Sequence, residues 1–387
     1  MKILILHNSY QIQGGEDSVV SQELKLLKSK GHKVSIYIVS NDIIKGWISK
    51  LIAFLRAPYS NTSACWIRDI LIEEEPDIVH IHNFFPLLSP AIHVEISKQN
   101  IPVVQTLHNY RLICAGGTLL RNNQICEKCL HGSSLWGVVH RCYRMSFLGS
   151  LALVLMQRKA KSKCIWTKNV TRFIALTEFA KKKFLDYGIN ENQIVVKPNF
   201  TSNAIFKENQ ERYGALYVGR LSIEKGVHIL VDAWKSISNI KLTIAGDGPE
   251  REWLEAQAPP NISFVGKITG KEVLRIMNRS QALIIPSIWY EGFPMSILEA
   301  YSAGLPVIAS DIGSLSECIL QDETGILFNS GDSHDLAITV KNAFSSPSHL
   351  RLLGNNARRL YLSKYTPDVN YKMLMEIYLA SITVAKV

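Results

Sequence analysis

Short apolar runs alternate with amphipathic segments along the first half of the chain. The run KILILHN (residues 2–8) is continuous enough for a central parallel strand. A glycine-rich turn and an amphipathic helix follow it in QGGEDSVVSQELKLLKSKGH, and VSIYIVS, DIVHIHN and PVVQTLH predict further strands. Each of these strands ends in polar residues. Because open parallel sheets bind ligands at the carboxyl ends of their strands, we expect a site there.

A second series of strands and helices begins after KPNF (residues 197–200). GALYVGR, KLTIAGD, ISFVG, ALIIPS and PVIAS predict strands, and DAWKSI, PEREWLEAQ, GKEVLRIMNRS and MSILEAYSAG predict the helices between them. The pattern predicts an α/β protein of two doubly wound, Rossmann-like domains. The first covers 1–200 together with a C-terminal helix at about 367–387, the second covers 201–366, and the boundary falls near 199–213.

Composition narrows the class of protein. The hydrophobic fraction of 47% and the charged fraction of 20% are ordinary for a soluble globular chain. No apolar run reaches the ~18 residues of a membrane span, and MKILILHNSY has no signal-peptide features, so we expect a cytoplasmic protein. Residues 1–200 carry 25 Lys/Arg against 14 Asp/Glu, whereas residues 201–387 carry 18 against 19. The first half should therefore meet an anionic partner, either nucleic acid or anionic lipid.

Two loops of the second half could bind an anion. In GALYVGRLSIEKG the strand is followed by Gly219, and Arg220 and Lys225 precede a helix. Cations beside a helix N-terminus suit a diphosphate, although a solvated loop would look the same. KLTIAGDGPE adds Gly246, Asp247 and Gly248 between a strand and a helix, a turn that is also common in purely structural units.

The segment ALIIPSIWYEGFPMSILEAYSAGLPVIAS is the most informative. Glu291 lies in its loop, and Glu299 lies eight positions on in a helix with apolar neighbours. Carboxylates spaced in this way can accept hydrogen bonds from hydroxyls at two places along an extended ligand, and sugar and ribose hydroxyls are natural donors. The residues between them that would face the ligand with backbone N–H groups or open the helix are Gly292, Phe293, Pro294 and Met295.

In order and spacing, VGRLSIEKG, GDGPE and EGFPMSILEAYSAGLPVIAS resemble the retaining glycosyltransferases of family 4, over most of the chain. The resemblance implies the GT-B fold, in which two Rossmann-like domains face a cleft and the C-terminal domain binds a nucleotide-sugar donor, here a UDP- or GDP-sugar. By this resemblance Arg220 and Lys225 neutralise the diphosphate, Glu291 binds the donor sugar and Glu299 binds the ribose.

The resemblance extends to the first half, the acceptor-binding domain. Gly14 and Gly15 match the family's glycine-rich loop near the donor phosphates, and His108 in TLHNYR matches its cleft histidine. His108 could instead be a core histidine, and His80 and His82 are weaker candidates. The family implies catalysis by His108, Glu291, Arg220 and Lys225, with retention by internal return. Since no DxD-type motif is present, we expect no catalytic metal.

Four cysteines follow TLHNYR with the spacing C-x11-C-x2-C-x12-C: Cys114, Cys126, Cys129 and Cys142. In a cytoplasmic protein this spacing suits a structural zinc site, which would order a long loop. Free buried thiols, a site completed by His131 or His140, and an iron–sulfur cluster are the alternatives. Most members of the resembling family lack this cluster, so it would mark a subgroup.

Residues 128–183 hold 12 Lys/Arg and one acid, Glu178. Interleaved apolar residues make this segment, and IIKGWISKLIAFLRAPY (residues 43–59), candidates for binding an anionic membrane in its plane. Alternatively, the apolar faces are core. The interleaved residues are Trp136, Phe147, Leu148, Leu151, Leu153, Val154, Leu155 and Met156.

The sequence therefore predicts a transferase on the inner face of a bacterial cytoplasmic membrane, acting on a lipid-linked saccharide acceptor in O-antigen, capsule or exopolysaccharide synthesis. A transferase with a soluble acceptor, similar to glycogen synthase, is one alternative. A non-catalytic nucleotide-sugar-binding protein is another. Nucleic-acid binding has no reader motif to support it, and the interleaved residues are aliphatic more than aromatic.

Overall fold

A computed structural model of the chain describes residues 1–9, 14–44, 46–202, 206 and 210–385. It contains two compact units. The first comprises Met1–Leu119, Cys126–Pro198 and Asn370–Val387, and the second comprises Leu120–Ile125 and Asn199–Val369. The segment 120–125, which the sequence pattern places in the first domain, thus groups with the second unit. Parts of the predicted boundary segment (203–205 and 207–209), and residues 386–387 of the predicted final helix, lie outside the described residues.

The first unit is built on a six-stranded parallel sheet with the order β2-β1-β3-β4-β7-β8. Between β4 and β7 in sequence lies an antiparallel hairpin of two short strands, β5 and β6, with two residues each. The elements up to residue 196 are β1 Lys2–Ser9, α1 Gly15–Ser29, β2 Lys33–Ser40, α2 Gly46–Arg56, α3 Asn61–Glu74, β3 Ile78–Asn83, α4 Ala91–Lys98, β4 Val103–Leu107, β5 Leu120–Arg121, β6 Gln124–Ile125, α5 Lys128–His131, α6 Trp136–Val139, α7 Phe147–Ser162, α8 Ile165–Lys168, β7 Arg172–Ala175, α9 Glu178–Tyr187 and β8 Ile194–Val196, with 3₁₀ turns at Asn41–Ile43 and Glu191–Gln193.

The second unit has its own six-stranded parallel sheet, with the order β11-β10-β9-β12-β13-β14. Its elements, and the final helix of the chain, are β9 Ala215–Val218, α10 Val227–Trp234, β10 Leu242–Ala245, α11 Arg251–Gln257, β11 Ile262–Gly266, α12 Gly270–Arg279, β12 Ala282–Ile285, α13 Met295–Ser302, β13 Val307–Asp311, α14 Ser314–Cys318, β14 Gly325–Asn329, α15 Ser333–Phe344, α16 Pro347–Lys364 and α17 Pro367–Ala385, with a 3₁₀ turn at Ile223–Lys225.

Burial on both faces explains the apolar runs. In the first unit, Ile3 and Ile5 of β1 lie in one core cluster with Leu374 and Tyr378 of α17, so the end of the chain completes the core under its first strand. In the second unit, helices cover both faces of strands such as β12, whose four residues are all buried. The strand order reverses between β1 and β3, and again between β9 and β12. Ligands of open α/β sheets bind at such switch points.

Three strands of the two six-stranded sheets were not predicted. β7, β8 and β14 have three to five residues each, with three successive apolar residues apiece, and runs this short do not distinguish a strand from another buried segment. The cysteine-rich segment, predicted as a long loop, instead contains the β5–β6 hairpin and the short helices α5 and α6.

The structure buries some of the apolar residues that were predicted to face a membrane and exposes others. Leu153, Val154 and Met156 are fully buried, because α7 packs against α6 and α8 along this side. The prediction was wrong for these three residues. Phe147 and Leu148, at the start of α7, are more than half exposed. Within the described ranges, none of the helices combines the length and apolar composition that crossing a bilayer requires.

One glycine brings the two switch-point loops of the second unit together. Gly226 has a φ of +67°, and a Cβ atom there would lie 1.8 Å from the carbonyl oxygen of Pro286. The backbone after β9 can therefore touch the backbone after β12 only if residue 226 is glycine.

We predict that Gly226→Ala lowers the free energy of unfolding by about 2–4 kcal/mol, because it adds a backbone clash to an unfavourable φ. Gly331→Ala is the matched control: Gly331 has a φ of +85° but no atom within 4 Å of the added Cβ. The control should lose about 1 kcal/mol in chemical denaturation. Equal losses would mean that the contact with Pro286 contributes nothing.

Candidate functional site

The loops after β9 and β12 carry the predicted donor-binding residues of the second unit. The first loop contains Gly219 and the exposed Arg220 and ends in the 3₁₀ turn Ile223–Lys225, directly before α10. The second contains Ser287 and Glu291 and leads into α13. The N–H of Ile288 donates to the carbonyl oxygen of Glu224 at 3.1 Å, which joins the two loops.

Lys225 and Glu291, predicted separately from two motifs, form one ion pair. The ammonium nitrogen of Lys225 lies 2.7 Å from Oε1 and 3.0 Å from Oε2 of Glu291. The Ser287 hydroxyl donates to the same Oε1 at 2.7 Å, and the ammonium also lies 5.3 Å from the ring centroid of Trp289. Glu291 is 4% exposed, so these partners take the place of water around its carboxylate. Ion pairing thus fixes the carboxylate at the switch point.

A buried tyrosine supports the first loop. Tyr217 of β9 donates its hydroxyl to the carbonyl oxygen of Arg220 at 2.8 Å. A Cβ at residue 219 would lie 2.8 Å from this hydroxyl oxygen, which accounts for Gly219. Burial and the nearby carboxylates of Glu291 and Glu224 raise the pKa of Tyr217 well above its ordinary value, so the hydroxyl stays protonated and can donate.

The GDG turn after β10 packs on the same loop. A Cβ at Gly246 would lie 1.8 Å from the carbonyl oxygen of Gly219, and one at Gly248 would lie 2.2 Å from that of Leu221. The N–H of Leu221 donates to the carbonyl oxygen of Asp247 at 3.0 Å. Both glycines are therefore explained by backbone packing alone, while the Asp247 side chain is exposed.

The residues after Glu291 lead into α13. Phe293 is buried, and its ring lies 5.6 Å from that of Tyr365, while Gly292 and Met295 are half-buried. Pro294 is the N-cap with an extended backbone, so α13 begins at Met295 and its first N–H groups have no side-chain cap. Glu299 lies one turn further on. Burial raises its pKa to about 7, so the carboxyl is poised between its neutral and charged forms near neutral pH.

In the first unit, His108 follows β4 and contacts the end of β3. Its Nε2 lies 3.0 Å from Nδ1 of His82, and the two rings stack with centroids 5.3 Å apart. Burial, followed by the neighbouring His82, holds the pKa of His108 well below its ordinary value, and the pKa of His82 falls to about 4 for the same leading cause. Both rings are therefore neutral at physiological pH.

The histidines surround a buried carboxylate that the sequence motifs did not indicate. Glu23 of α1 is 1% exposed, and its Oε1 lies 2.9 Å from Nδ1 of His80 and 3.2 Å from Nε2 of His82. Its Oε2 lies 3.4 Å from the ammonium of Lys197. Burial opposes ionisation of Glu23, but His80, Lys197 and His82 together outweigh it and hold its pKa well below the ordinary value. Glu23 lies on the apolar stripe of α1 together with Val19, Val20, Leu26 and Leu27, and a charged residue inside that stripe is the sequence signal that could have found it.

Glu23, His80 and His82 are also the one group of three potential metal ligands whose ligand atoms all lie within 4.8 Å of one another in the described residues. Their neighbours argue against a metal ion. Lys197 already places a positive charge beside Glu23, and the two ring nitrogens of His80 lie 2.7 Å from the Tyr378 hydroxyl and 2.8 Å from that of Thr106. The group is a hydrogen-bonded and ion-paired network.

Other predicted residues have local roles. Gly14 is the N-cap of α1, where its N–H donates to Oδ2 of Asp17 at 2.8 Å, and Gly15 is the first residue of that helix. His7, which the motifs missed, contacts Oδ1 of Asp17 at 3.0 Å. Both glycines thus stand at the switch point between β1 and β3.

The four clustered cysteines lie near one another in the first unit. Burial, followed by the thiols of Cys114, Cys142 and Cys126, raises the pKa of Cys129 to about 12, and the N–H of Gly137 donates to its sulfur. None of these four described cysteines forms a disulfide. Their sulfur atoms do not gather as closely as the ligand atoms of the Glu23 group.

Two family models match this chain. Residues 13–202 match "Glycosyltransferase Family 4", and residues 199–360 match "Glycosyl transferases group 1". Together with the two Rossmann-like units, these matches define a glycosyltransferase of the GT-B fold. The match of the first half agrees with the resemblance to family 4 found in the sequence, and the two matches together cover residues 13–360.

Relatives span different parts of the chain. Glycogen synthase of Mycobacterium tuberculosis is 33% identical over 175 residues, which cover 43% of this chain and only 42% of that protein. An uncharacterized glycosyltransferase of Methanocaldococcus jannaschii is 24% identical over 376 residues, covering 91% of this chain and 90% of its own. The capsular polysaccharide biosynthesis glycosyltransferase CapM of Staphylococcus aureus is 25% identical over 235 residues, covering 54% and 61%.

Solved structures share the fold. Anabaena HepE in complex with UDP superposes with a TM-score of 0.71 at 17% identity, covering 98% of this chain and 100% of that chain. The lipopolysaccharide outer core galactosyltransferase WaaB gives a TM-score of 0.67 at 19% identity, with both chains fully covered.

We predict that Glu299→Gln makes stability less dependent on pH. The folded-state pKa of about 7 exceeds the ordinary value of 4.5, so the folded state holds the proton more tightly, and the free energy of unfolding of the wild type falls as pH rises from about 4.5 to 7. Above pH 8 the variant should be more stable than the wild type by about 1–3 kcal/mol, with little difference at pH 5. Denaturant titrations at both pH values check this, with the exposed Glu252→Gln as control. A constant difference across pH would contradict it.

Proposed function

We propose that this glycosyltransferase moves a sugar from a UDP- or GDP-sugar to a lipid-linked saccharide with retention of anomeric configuration, in bacterial O-antigen, capsule or exopolysaccharide synthesis. The observation that carries the proposal is the Lys225–Glu291 pair at the switch point of the second sheet, with Arg220 exposed on the same loop. A cation and a carboxylate held together suit a ligand with phosphates at one end and hydroxyls at the other. CapM and WaaB, by their names, act in surface-polysaccharide synthesis.

The diphosphate of the donor would be bound by Arg220 and Lys225. An ammonium group has three N–H donors, and Glu291 accepts from Lys225 through both oxygens, which leaves a donor for a phosphate oxygen. The N-termini of α10 and α13 start at the ends of the two loops and add partial positive charge. These groups stabilise the charge that develops on the leaving diphosphate.

The two glutamates would bind hydroxyls. Oε1 of Glu291 already accepts from Lys225 and Ser287, whereas Oε2 accepts from Lys225 alone and keeps a lone pair for a hydroxyl of the transferred sugar. Glu299 would bind the ribose. Hydrogen bonds from two ribose hydroxyls favour the charged carboxylate and would lower its raised pKa on binding.

Retention by internal return, in which the acceptor attacks from the side of the leaving group, agrees with these contacts. Since both oxygens of Glu291 are bound to cationic or hydroxyl donors, this carboxylate is a weak nucleophile, and a covalent intermediate on it is disfavoured. The neutral His108 would hydrogen-bond a hydroxyl of the transferred sugar. Protein groups would stabilise the developing charge, without a catalytic metal.

A membrane-docking surface would give access to a lipid-linked acceptor. In α2, Trp47 and Leu55 are 75% and 66% exposed, with Ile48 and Leu51 beside them. α2 packs against α7, whose first residues Phe147 and Leu148 are also exposed. We call the exposed apolar residues of α2 and the start of α7 the α2–α7 surface. Lys45, in the predicted amphipathic segment, lies outside the described residues.

The charges around this surface suit anionic lipid. Lys159 and Lys163 of the α7 C-terminal region lie 4.9 Å and 5.1 Å from the ring centroid of Tyr59, which follows α2. Arg56 ends α2. Apolar side chains flanked by cations insert into a bilayer boundary while the cations meet headgroup phosphates, so the enzyme would act at the inner face of the cytoplasmic membrane.

The cysteine cluster would hold a structural zinc ion. The thiols of Cys114, Cys126 and Cys142 lie around that of Cys129, and the N–H of Gly137 donates to its sulfur, a contact that would also stabilise a metal-bound thiolate. Zinc would draw the sulfur atoms together, remove the proton from each, and stabilise the segment between β4 and α7.

We predict that one of UDP, GDP and dTDP raises the melting temperature of the protein. The reason is that only the folded donor site binds the nucleotide. Glu299→Ala and Lys225→Met should require about tenfold or more nucleotide for the same shift in melting temperature. Glu252→Gln should leave the shift unchanged. NMR of the product should show that the transferred sugar keeps the anomeric configuration that it had in the donor. No shift with any nucleotide would exclude the donor site, and turnover with soluble but not lipid-linked saccharides would exclude the membrane acceptor.

We predict that the protein co-sediments with vesicles of phosphatidylcholine and phosphatidylglycerol but weakly with phosphatidylcholine alone. Trp47→Glu/Leu55→Glu should reduce binding about tenfold or more, because it places charge in the docking face. Trp253→Glu replaces a half-exposed tryptophan of the second unit and should bind normally. Equal loss in both variants would argue against the α2–α7 surface.

We predict about one equivalent of zinc per chain by elemental analysis. Cys129→Ser should lose the metal and lower the melting temperature, whereas Cys65→Ser, which alters an exposed cysteine outside the cluster, should keep it. Protein without zinc or iron would exclude the metal site.

A further inference from the structure

His108 has a neighbour that can determine which of its ring nitrogens carries the proton. Its Nε2 lies 3.0 Å from Nδ1 of His82. Among the described residues, no other histidine ring lies as close to His108. His108 is half-buried and borders a small cavity lined by Phe85, Gln105 and Arg111, whereas His82 is 3% exposed. Between two neutral rings, one nitrogen must donate and the other must accept.

Glu23 decides the direction of this hydrogen bond. Oε1 of Glu23 lies 3.2 Å from Nε2 of His82, on the opposite side of the ring from His108. The two atoms lie outside hydrogen-bond geometry, so the argument is electrostatic: a lone pair on Nε2 would face a carboxylate in a buried site, whereas an N–H there is attracted to it. The charge of Glu23 thus favours the His82 tautomer with its proton on Nε2, which leaves Nδ1 bare and makes Nε2 of His108 the donor.

We infer that Glu23 and His82 are positioning residues that hold His108 with its proton on Nε2 and a lone pair on Nδ1. The inference rests on the proposed function, in which His108 contacts the transferred sugar. In this tautomer the free nitrogen of His108 accepts a hydrogen bond from a sugar hydroxyl and cannot donate one. The site would therefore select a donor sugar that presents a hydroxyl to His108, against a deoxy analogue at that position.

The rest of the network holds Glu23 in place. The Lys197 ammonium, which also contacts Oδ1 of Asn370 at 3.0 Å, balances the charge of Glu23 from the side away from His82. His80 contacts the same Oε1 at 2.9 Å and is as deeply buried as His82, but its other contacts are with Tyr378 and Thr106. His80 is thus a matched control within the same network.

The tautomer can be measured directly. Long-range proton–nitrogen correlation spectra of protein with ¹⁵N-labelled histidine distinguish a bare from a protonated ring nitrogen, and His108→Gln identifies the signal of His108. We expect a bare Nδ1 in the wild type. His82→Phe should give a mixture of both tautomers, and His82→Asn, whose amide oxygen can accept from Nε2, should restore the wild-type form. His80→Phe should leave the tautomer of His108 unchanged.

Kinetics with the identified donor complete the test. His82→Phe should lower kcat about tenfold or more at a nearly unchanged donor KM, and His82→Asn should recover part of the loss. If Glu23→Gln fails to fold because Lys197 is left without its counter-charge, Glu23→Gln/Lys197→Met removes both charges and should show the same mixed tautomer.

A bare Nε2 on His108, an unchanged tautomer in His82→Phe, or a fall in kcat no larger than in His80→Phe would each overturn the inference. Failure of the proposed function looks different. In that case no sugar is transferred by the wild type, or His108→Gln retains full kcat, while the spectra still report the tautomer that Glu23 and His82 impose.

Discussion

The first unit depends on the buried charge of Glu23. A carboxylate removed from water is stable only if charges and hydrogen-bond donors surround it, and here they come from every side. His80 and His82 lie on β3, Lys197 follows β8, and Asn370 and Tyr378 on α17 contact these partners in turn. One charge on α1 thereby connects the first helix, the centre of the sheet, and the last helix of the chain. Through His82, the same charge also acts on His108 at the end of β4.

In the second unit, the candidate site depends on close backbone contacts between loops. Its candidate site needs three loops, after β9, β10 and β12, to lie closer together than side chains allow. Gly226, Gly246 and Gly248 permit this because a Cβ at any of them would overlap a neighbouring carbonyl oxygen. Once the loops touch, Lys225 and Glu291 meet as an ion pair. The position of both residues therefore follows from glycines that themselves have no chemistry to contribute.

Much of the site could be read from the sequence because the signals were local. Arg220, Lys225, Glu291 and His108 all follow apolar strands, and parallel sheets bring strand ends to one edge. Other features could not be read. The stripe of α1 places Glu23 on the buried face, but its partners on β3, after β8 and on α17 are distant in sequence, so the pattern does not reveal what balances its charge. Leu153, Val154 and Met156 have the same pattern whether they meet lipid or protein core. Whether an apolar face meets protein or lipid depends on neighbouring helices that are distant in sequence.

The sequence by itself determined the class of the protein, two Rossmann-like domains of a glycosyltransferase, because strand periodicity and the EGFPMSILEA segment are local patterns. Tertiary structure alone decided how the candidate residues interact. It paired Lys225 with Glu291, raised the pKa of Glu299 by burial, and placed Glu23 behind His82. Burial and long-range pairing determine the charge and the hydrogen bonds of a side chain. Both depend on residues that are distant in sequence, so the flanking residues do not reveal them.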